Sequence, residues 1–239
     1  MNCPVGIILF ARMSSNRLPG KMLRPIGPTS LLERVVTRAR LLDRPLLLAT
    51  STEPDDDPLV VAADALDLPV YRGSLNDVLG RACGAAQQAG FAAFARLCGD
   101  RPFLPLEDMR QAIRIMEAGL QSGQPPDLIT SRLPSPVPPG MMTEVIRTES
   151  LVSLLDRATR PDDREHVTTH FYRAADDYWL IPLVSPLQNL PPAHCSVDTD
   201  VDLRLLGEAI RLHPSLDFCE QAAVHAVWKL RAEHDAATV

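Results

Sequence analysis

The chain has 239 residues, of which 46% are hydrophobic and 23% charged, and its formal net charge is −6. This length suits one sizeable α/β domain, and the composition is that of a globular protein rather than a disordered or fibrous one. No apolar run approaches the length of a membrane span, and we recognise no signal peptide. We therefore expect a cytoplasmic protein with no membrane partner.

The charge is unevenly distributed along the chain. Residues 1–44 contain eight Lys or Arg and two acidic residues, so they carry a local net charge of +6. A basic segment on an acidic protein argues against general nucleic-acid binding and favours a small polyanionic ligand bound at one place. We expect Arg34, Arg38 and Arg40 to lie on a solvated helix face, so the cations before residue 25 are the ones that call for a ligand.

The cysteine pattern indicates a reducing compartment. There are five cysteines with no C-x-x-C spacing, which argues against a disulfide framework and against a zinc knuckle. We expect them to be small core residues: Cys3, Cys83, Cys98, Cys195 and Cys219.

Strand and helix patterns alternate through the first 131 residues. Residues 5–11 form a continuous apolar run, as in a strand buried on both faces. A Gly- and Pro-containing loop follows, then a helix with Thr29 or Ser30 as its N-cap. Further patterns predict strands at 46–50, 69–71, 91–97 and 128–131, and helices at 57–66, 76–89 and 106–120. This alternation predicts a Rossmann-like, mostly parallel sheet flanked by helices.

The pattern changes after residue 131. A proline-rich stretch leads into residues 143–186, which read as strand, helix, helix and strand in an inserted or appended segment. The chain then returns with a last strand over His194 to Asp198 and two closing helices, the second starting near Ser215.

Three loops are expected at the carboxyl ends of the parallel strands, where ligands bind in such sheets: residues 12–28, 51–56 and 99–105. The first is the most informative, since it brings cations, hydroxyls and an amide together, namely Arg12, Ser14, Ser15, Asn16, Arg17 and Lys21. Backbone N–H groups and hydroxyls can hold phosphate oxygens while the cations neutralise them. The loop lacks both the Walker A and the dinucleotide-binding spacing, and an ordinary charged loop is the alternative.

Two carboxylates are expected near this loop. Asp100 follows an apolar strand and Gly99, and Asp198 ends the last predicted strand. Two converging carboxylates, with waters and phosphates, suit Mg²⁺ bound to a nucleotide. Each Asp could instead be a helix N-cap or turn residue, and Asp200 and Asp202 are expected in the first turn of the next helix.

At this point the sequence resembles the sugar-acid cytidylyltransferases of the acylneuraminate and KDO type, and especially the spore-coat polysaccharide F-type branch. The central block is A-R-M-x-S-x-R-L-P-G-K within residues 7–24. Further similar blocks follow in the same order at 49–52, 71–74, 76–79, 99–100, 164–168 and 197–203. Together they cover about 200 residues, and the joint pattern is more specific than any single block.

The resemblance implies a single nucleotidyltransferase domain over residues 1–239, with an inserted acceptor-binding and dimerisation segment at about 139–186. It implies that Arg12, Ser15, Arg17 and Lys21 hold the triphosphate, and that Arg72, Ser74 and Asp77 flank the cytosine and ribose. It also places Mg²⁺ on Asp100 and Asp198. The acceptor would meet Arg101, Glu144, Arg164 and His166.

The implied reaction moves CMP from CTP to the hydroxyl of a nonulosonate- or KDO-like sugar acid and releases pyrophosphate. Lys21, Arg17, Asp100 and Asp198 are the expected catalytic residues, in a homodimeric enzyme whose partners are CTP and a small acidic acceptor. Phe10, Ser14, Arg101 and Met142 depart from the residues common in the family, so base and acceptor preference stay open.

Other readings remain at this stage. The acceptor could be a phosphonate or a polyol phosphate. Of the two Asp-x-Asp patterns, the one at 55–57 lies in an early loop, and the one at 198–200 keeps a glycosyltransferase open. A non-catalytic nucleotide-binding domain is a third alternative. His166 and His170, four residues apart on a predicted helix, could hold a transition metal.

Overall fold

The computed structural model describes residues 5–237, and within them strands and helices alternate as the sequence predicts. The strands are β1 (Val5–Phe10), β2 (Pro25–Ile26), β3 (Thr29–Ser30), β4 (Leu46–Ser51), β5 (Val70–Gly73), β6 (Ala93–Cys98), β7 (Leu128–Thr130), β8 (Glu144–Arg147) and β9 (Leu180–Pro182). The helices are α1 (Leu31–Arg40), α2 (Asp57–Asp64), α3 (Val78–Gln88), α4 (Leu106–Ser122), α5 (Thr148–Val152), α6 (Pro161–Glu165), α7 (Thr169–Arg173), α8 (Asp200–Leu212) and α9 (Glu220–Ala237).

Seven strands form one sheet in the order β5-β4-β1-β6-β8-β7-β9, and β2 pairs with β3 in a small hairpin. The four strands β5, β4, β1 and β6 are parallel, whereas β8 runs antiparallel to both β6 and β7. The predicted α/β class with a mostly parallel sheet is therefore confirmed. Strands β8 and β9, from the 139–186 segment, belong to this same sheet.

Helices cover both faces of the sheet. Side chains of α1, α4, α8 and α9 pack with β1 and β6 into one core, and side chains of α3, α5 and α7 fill a second core on the other face. Strand β1 is buried at every position, which explains its continuous apolar run. Because β1, β4 and β6 are parallel, the loops that follow them open at the same edge.

Helix α1 begins at an N-cap that the sequence predicts. The Ser30 side chain accepts a hydrogen bond from the N–H of Glu33 at 3.1 Å. The expectation of a solvated face for its arginines is wrong for Arg34 and Arg38, which are buried, and holds for Arg40. Arg38 lies over the Phe218 ring at 3.7 Å and pairs with Glu220 at 2.8 Å.

The predicted strand over residues 194–198 is also wrong. These residues join neither sheet, and the last helix begins at Glu220 rather than near Ser215. Cys195 and Val197 are fully buried, which produces the alternating pattern, but their N–H groups bond only to the separate carbonyls of Pro139 and Asp100, each at 2.8 Å. Alternating burial is thus not enough for a strand when no neighbouring strand runs alongside.

The described cysteines are all free. Cys83 and Cys195 are buried as expected, Cys98 is half-buried and Cys219 is exposed, and Cys3 lies outside the described residues. Within residues 5–237, no helix combines the length and the apolar character needed to cross a membrane.

Candidate active site

The loop after β1 is folded by its own backbone. The N–H groups of Ser15 and Gly20 donate to the Met13 carbonyl at 2.9 and 3.0 Å, and Gly20 has a positive φ of 70°. Leu18 is only 3% exposed and anchors the loop in the core. The loop therefore has a defined conformation, which fixes the positions from which its polar side chains extend.

Asp56 ties this loop to the end of β4. Its carboxylate accepts hydrogen bonds from the Met13 N–H at 2.6 Å, from the Thr50 hydroxyl at 3.0 Å and from the Ser51 N–H at 3.1 Å. Burial alone pushes the pKa of Asp56 up, but the Met13, Ser51 and Thr50 donors more than offset it, so the pKa lies below its ordinary value. The middle Asp of the 55–57 pattern is thus a buried structural residue.

We expect Asp56→Asn to lower the free energy of unfolding at neutral pH by about 1–3 kcal/mol, because buried donors lose their acceptor. Since the folded pKa is depressed, this stabilisation is present above the unfolded pKa of about 3.9 and disappears as the pH falls through the lower folded value. Urea unfolding at several pH values measures the effect. The exposed neighbour Asp55→Asn is the control, and wild-type stability of Asp56→Asn at pH 7 would contradict the prediction.

Lys21 lies between the two predicted metal ligands. It starts a short 3₁₀ turn, and only 9% of the residue is exposed. Its ammonium is 3.1 Å from Asp100 Oδ2 and 3.6 Å from Asp198 Oδ1, and it donates to the Val197 carbonyl at 2.8 Å. The structure therefore brings these three residues together from three distant parts of the chain.

Asp198 is in addition held by two other side chains. Arg17 Nη2 lies 2.8 Å from Asp198 Oδ1, and His194 Nε2 lies 3.1 Å from Oδ2. Arg17 is largely exposed, so it is free to exchange this carboxylate for a ligand anion. Arg17, Lys21, Asp100 and Asp198 thus form a cluster of two cations and two carboxylates at the carboxyl edge of the sheet.

A cavity of about 670 Å³ opens beside this cluster. Nine of the predicted site residues line it, namely Arg12, Ser15, Asn16, Arg17, Lys21, Asp100, Arg164, His166 and Asp198. The cavity is also lined by residues that are not among the predicted site residues, including Leu75, Asn76, Val78, Arg81, Arg96 and Glu165. Arg96 could have been identified from the sequence, because it is a charged residue within the apolar strand β6.

Six predicted residues do not line this cavity: Ser14, Arg72, Ser74, Asp77, Arg101 and Glu144. Arg72 donates to the Ser51 carbonyl at 2.8 Å and pairs with Asp57 at 2.7 Å. Asp77 caps α3 by accepting from the Gly80 N–H at 2.9 Å, and it pairs with Arg164 at 3.2 Å. Asp77 therefore holds Arg164, which lines the cavity, whereas the partners of Arg72 do not line it.

Glu144 forms a buried pair behind the cavity. It is 1% exposed, it lies 2.6 Å from Arg96 Nη1, and it accepts from the Tyr172 hydroxyl at 2.7 Å. Burial raises the pKa of Glu144, but Arg96 and Tyr172 more than offset this, so its pKa lies below the ordinary value. Arg101 donates to the Met142 carbonyl at 3.2 Å.

The remaining acids near Asp198 have structural partners. Asp202 forms a capping box with Thr199 at the start of α8 and pairs with Arg231. Burial raises the pKa of Asp202, but Arg231 and Thr199 more than offset it, so the pKa is lowered. Asp200 pairs with Arg24 at 2.6 Å and lies at the surface. Both are first-turn residues of α8, as predicted.

The two histidines of the 166–170 pair face different surroundings. His166 lines the cavity, whereas the His170 ring lies 3.6 Å from Asp163 and packs edge-on against Tyr178. Within residues 5–237, no three His, Cys, Asp or Glu side chains form a group that could hold a metal ion.

Asp100 and Asp198 nevertheless fit one kind of cation. Both carboxylates converge on a single positive group, the Lys21 ammonium. Mg²⁺ in phosphate-transfer sites uses one or two carboxylates and completes its shell with waters and substrate phosphates. The donor set thus suits Mg²⁺ that arrives with a triphosphate.

Comparison with known proteins agrees with this geometry. The family profile "Cytidylyltransferase" matches residues 6–198. The spore coat polysaccharide biosynthesis protein SpsF of Bacillus subtilis (strain 168) is 31% identical over 203 residues, which are 82% of this chain and 81% of that protein.

Two solved structures share the fold. A cytidylyltransferase from Leptospira borgpetersenii superposes with a TM-score of 0.86 at 23% identity, covering 95% of each chain. A CMP:2-keto-3-deoxy-manno-octonic acid synthetase complexed with CTP superposes with a TM-score of 0.64 at 14% identity, covering 88% of this chain and 99% of the other. The family match spans the loop after β1, Asp100 and Asp198, so the chain belongs to the cytidylyltransferase family and is a CTP-dependent nucleotidyltransferase.

Proposed function

We propose that this enzyme transfers CMP from CTP to the hydroxyl of a sugar acid related to KDO or to the nonulosonates, and releases pyrophosphate. The observation that carries the proposal is the convergence of Lys21 on Asp100 and Asp198 at the wall of one large cavity. Arg12 and Arg17 line the same cavity and supply the positive charge that a triphosphate requires.

The choice of an acidic acceptor rests on three basic residues that line the cavity. Arg96, Arg164 and His166 also line the cavity, and they come from β6 and from the segment around α6. Arg96 and Arg164 also pair with Glu144 and Asp77, but each guanidinium has further N–H groups that can donate to a carboxylate on the acceptor. Arg101 and Glu144 do not line the cavity and would influence the acceptor indirectly. Arg101 bonds to the Met142 carbonyl, and Glu144 holds Arg96.

The proposed reaction needs no protein nucleophile. The acceptor hydroxyl attacks the α-phosphorus of CTP in line and loses its proton to solvent, and pyrophosphate leaves on the opposite side. Asp100 and Asp198 are the residues that would hold Mg²⁺, which when bound would polarise the α-phosphate and the attacking hydroxyl. Lys21 and Arg17 stabilise the negative charge that grows on the departing pyrophosphate.

We place the reaction in the cytoplasm, where CTP is available, and the free state of the four described cysteines is consistent with a reducing compartment. A homodimer is also part of the proposal. Trp179 is 52% exposed and Val184 73%, and they flank the edge strand β9. Light scattering of the wild type and of Trp179→Glu tests whether this edge joins two copies.

Pyrophosphate release tests the proposed function. The enzyme with Mg²⁺ is given each of four nucleoside triphosphates, and then CTP with a panel of sugar acids, phosphonates and polyol phosphates. We expect release with CTP and a sugar acid only. Pyrophosphate release with a phosphonate or a polyol phosphate instead would show that the acceptor is not a sugar acid. Consumption of a nucleotide-sugar rather than CTP would indicate a glycosyltransferase.

A further inference from the structure

Arg81 is a buried cation that the proposed mechanism does not use. It lies on α3, it is 4% exposed, and it is one of the residues that line the cavity. Nη1 donates to the Ser74 carbonyl at 2.8 Å, which fixes the orientation of the guanidinium. Nε is shielded from solvent and has no hydrogen-bond partner within residues 5–237. A guanidinium in this state is costly unless a ligand supplies acceptors.

The nearby carboxylates do not neutralise Arg81. Asp56 is occupied by the Met13, Thr50 and Ser51 donors, and Asp77 by Gly80 and Arg164. Burial and the neighbouring Arg12 lower the pKa of Arg81, which agrees with a cation that has lost its water without gaining a close anion. A ligand in the cavity that Arg81 lines can supply the acceptors that the protein does not.

Arg81 lies near Arg12 but well away from the cluster of Lys21, Asp100 and Asp198. Its side chain packs on β5, where a Cβ on Gly73 would lie only 3.0 Å from Arg81 Cγ. Asp100 follows β6, three strands along in the order β5-β4-β1-β6, which corresponds to roughly 14 Å. This distance leaves room for a nucleoside between the two ends, and Leu75 and Val78 beside Arg81 provide apolar surface for a base.

We propose that Arg81 selects the base of the nucleotide by donating hydrogen bonds from its guanidinium to O2 and N3 of cytosine. A guanidinium only donates, and cytosine presents two adjacent acceptors on this edge. Uracil carries an N–H at position 3, so its donor would face the donor of Arg81 in a buried site. The inference rests on the proposed function, because it names the residue that makes CTP the donor.

Calorimetric titration with CTP, UTP and inorganic tripolyphosphate, each with Mg²⁺, tests the assignment. Arg81→Lys keeps the positive charge but loses the paired N–H groups. We expect this variant to bind CTP about 10- to 100-fold more weakly than the wild type does, with little change for UTP and tripolyphosphate. Arg34→Lys is the matched control, since Arg34 is also buried with an unpartnered Nε but does not line the cavity, and its CTP-to-UTP ratio should stay at the wild-type value.

A measurement on the wild type alone provides a second test that does not depend on how the variant folds. The triphosphate of 3-deazacytidine has C–H in place of N3, so it should bind about 10-fold or more weakly than CTP. Equal binding of these two nucleotides, or equal weakening of CTP and tripolyphosphate in Arg81→Lys, would overturn base selection by Arg81. A wild-type protein that binds no CTP would overturn the proposed function as well.

Discussion

Lys21→Ala is expected to lower kcat/KM for CTP by about a thousandfold. The ammonium is nearly buried, donates to Asp100 and to the Val197 carbonyl, and pairs with Asp198, so it is held in one place before the substrate arrives. A fixed charge of this kind stabilises the departing pyrophosphate without the reorganisation that water would need. Its removal also leaves Asp100 without its cation and Asp198 with Arg17 alone, so the site becomes more negative and should repel the triphosphate.

Steady-state kinetics with a sugar-acid acceptor measure the effect. Lys229→Ala is the control, because Lys229 is the other lysine of the chain and its side chain is exposed. Lys21→Arg should recover little activity, since a planar guanidinium does not fit a site shaped for a compact ammonium. Unchanged kcat and KM for CTP in Lys21→Ala would remove Lys21 from the site.

Asp198→Asn is expected to reduce turnover by at least about a hundredfold while the fold persists. The substitution keeps the shape of the side chain but removes the charge that Arg17, Lys21 and His194 share. It also removes one of the two carboxylates proposed for Mg²⁺. Asp100→Asn should behave alike, because Asp100 contributes the other carboxylate.

The matched control for Asp198→Asn is Asp200→Asn. Asp200 lies two residues further on, pairs with Arg24 at the surface, and should retain wild-type turnover. The Mg²⁺ concentration needed for half-maximal rate is compared between the wild type and both variants. It should rise only when the substituted carboxylate is a Mg²⁺ ligand. Near-normal turnover and an unchanged Mg²⁺ requirement in Asp198→Asn would exclude this carboxylate as a ligand.

Much of the scaffold could be predicted because its signals are local. The apolar runs of β1, β4 and β6 reflect burial on both faces, and a strand end followed by Gly99 and Asp100 marks the ligand edge of a parallel sheet. The grouping of Lys21 with Asp100 and Asp198 came from the resemblance together with this topology.

The features that were missed depend on contacts between distant segments. Arg38 looks like a surface residue of α1 until Phe218 and Glu220 cover it. Buried and less buried residues alternate over 194–198, as in a strand. The N–H groups of Cys195 and Val197, however, bond to carbonyls in two separate loops. Arg81 belongs to a helix of small residues, and only the packing of α3 on β5 turns it into the cavity.

The hydrogen bond from Lys21 to the Val197 carbonyl joins residues that are 176 positions apart in the chain. Contacts of such long sequence separation pay a large loop-closure entropy and tend to form late in folding. During refolding, the parallel sheet should therefore gain its amide protection before the protein gains affinity for CTP. Competence for catalysis would then be a late event, reached only after the segment that carries Asp198 has docked on the finished sheet.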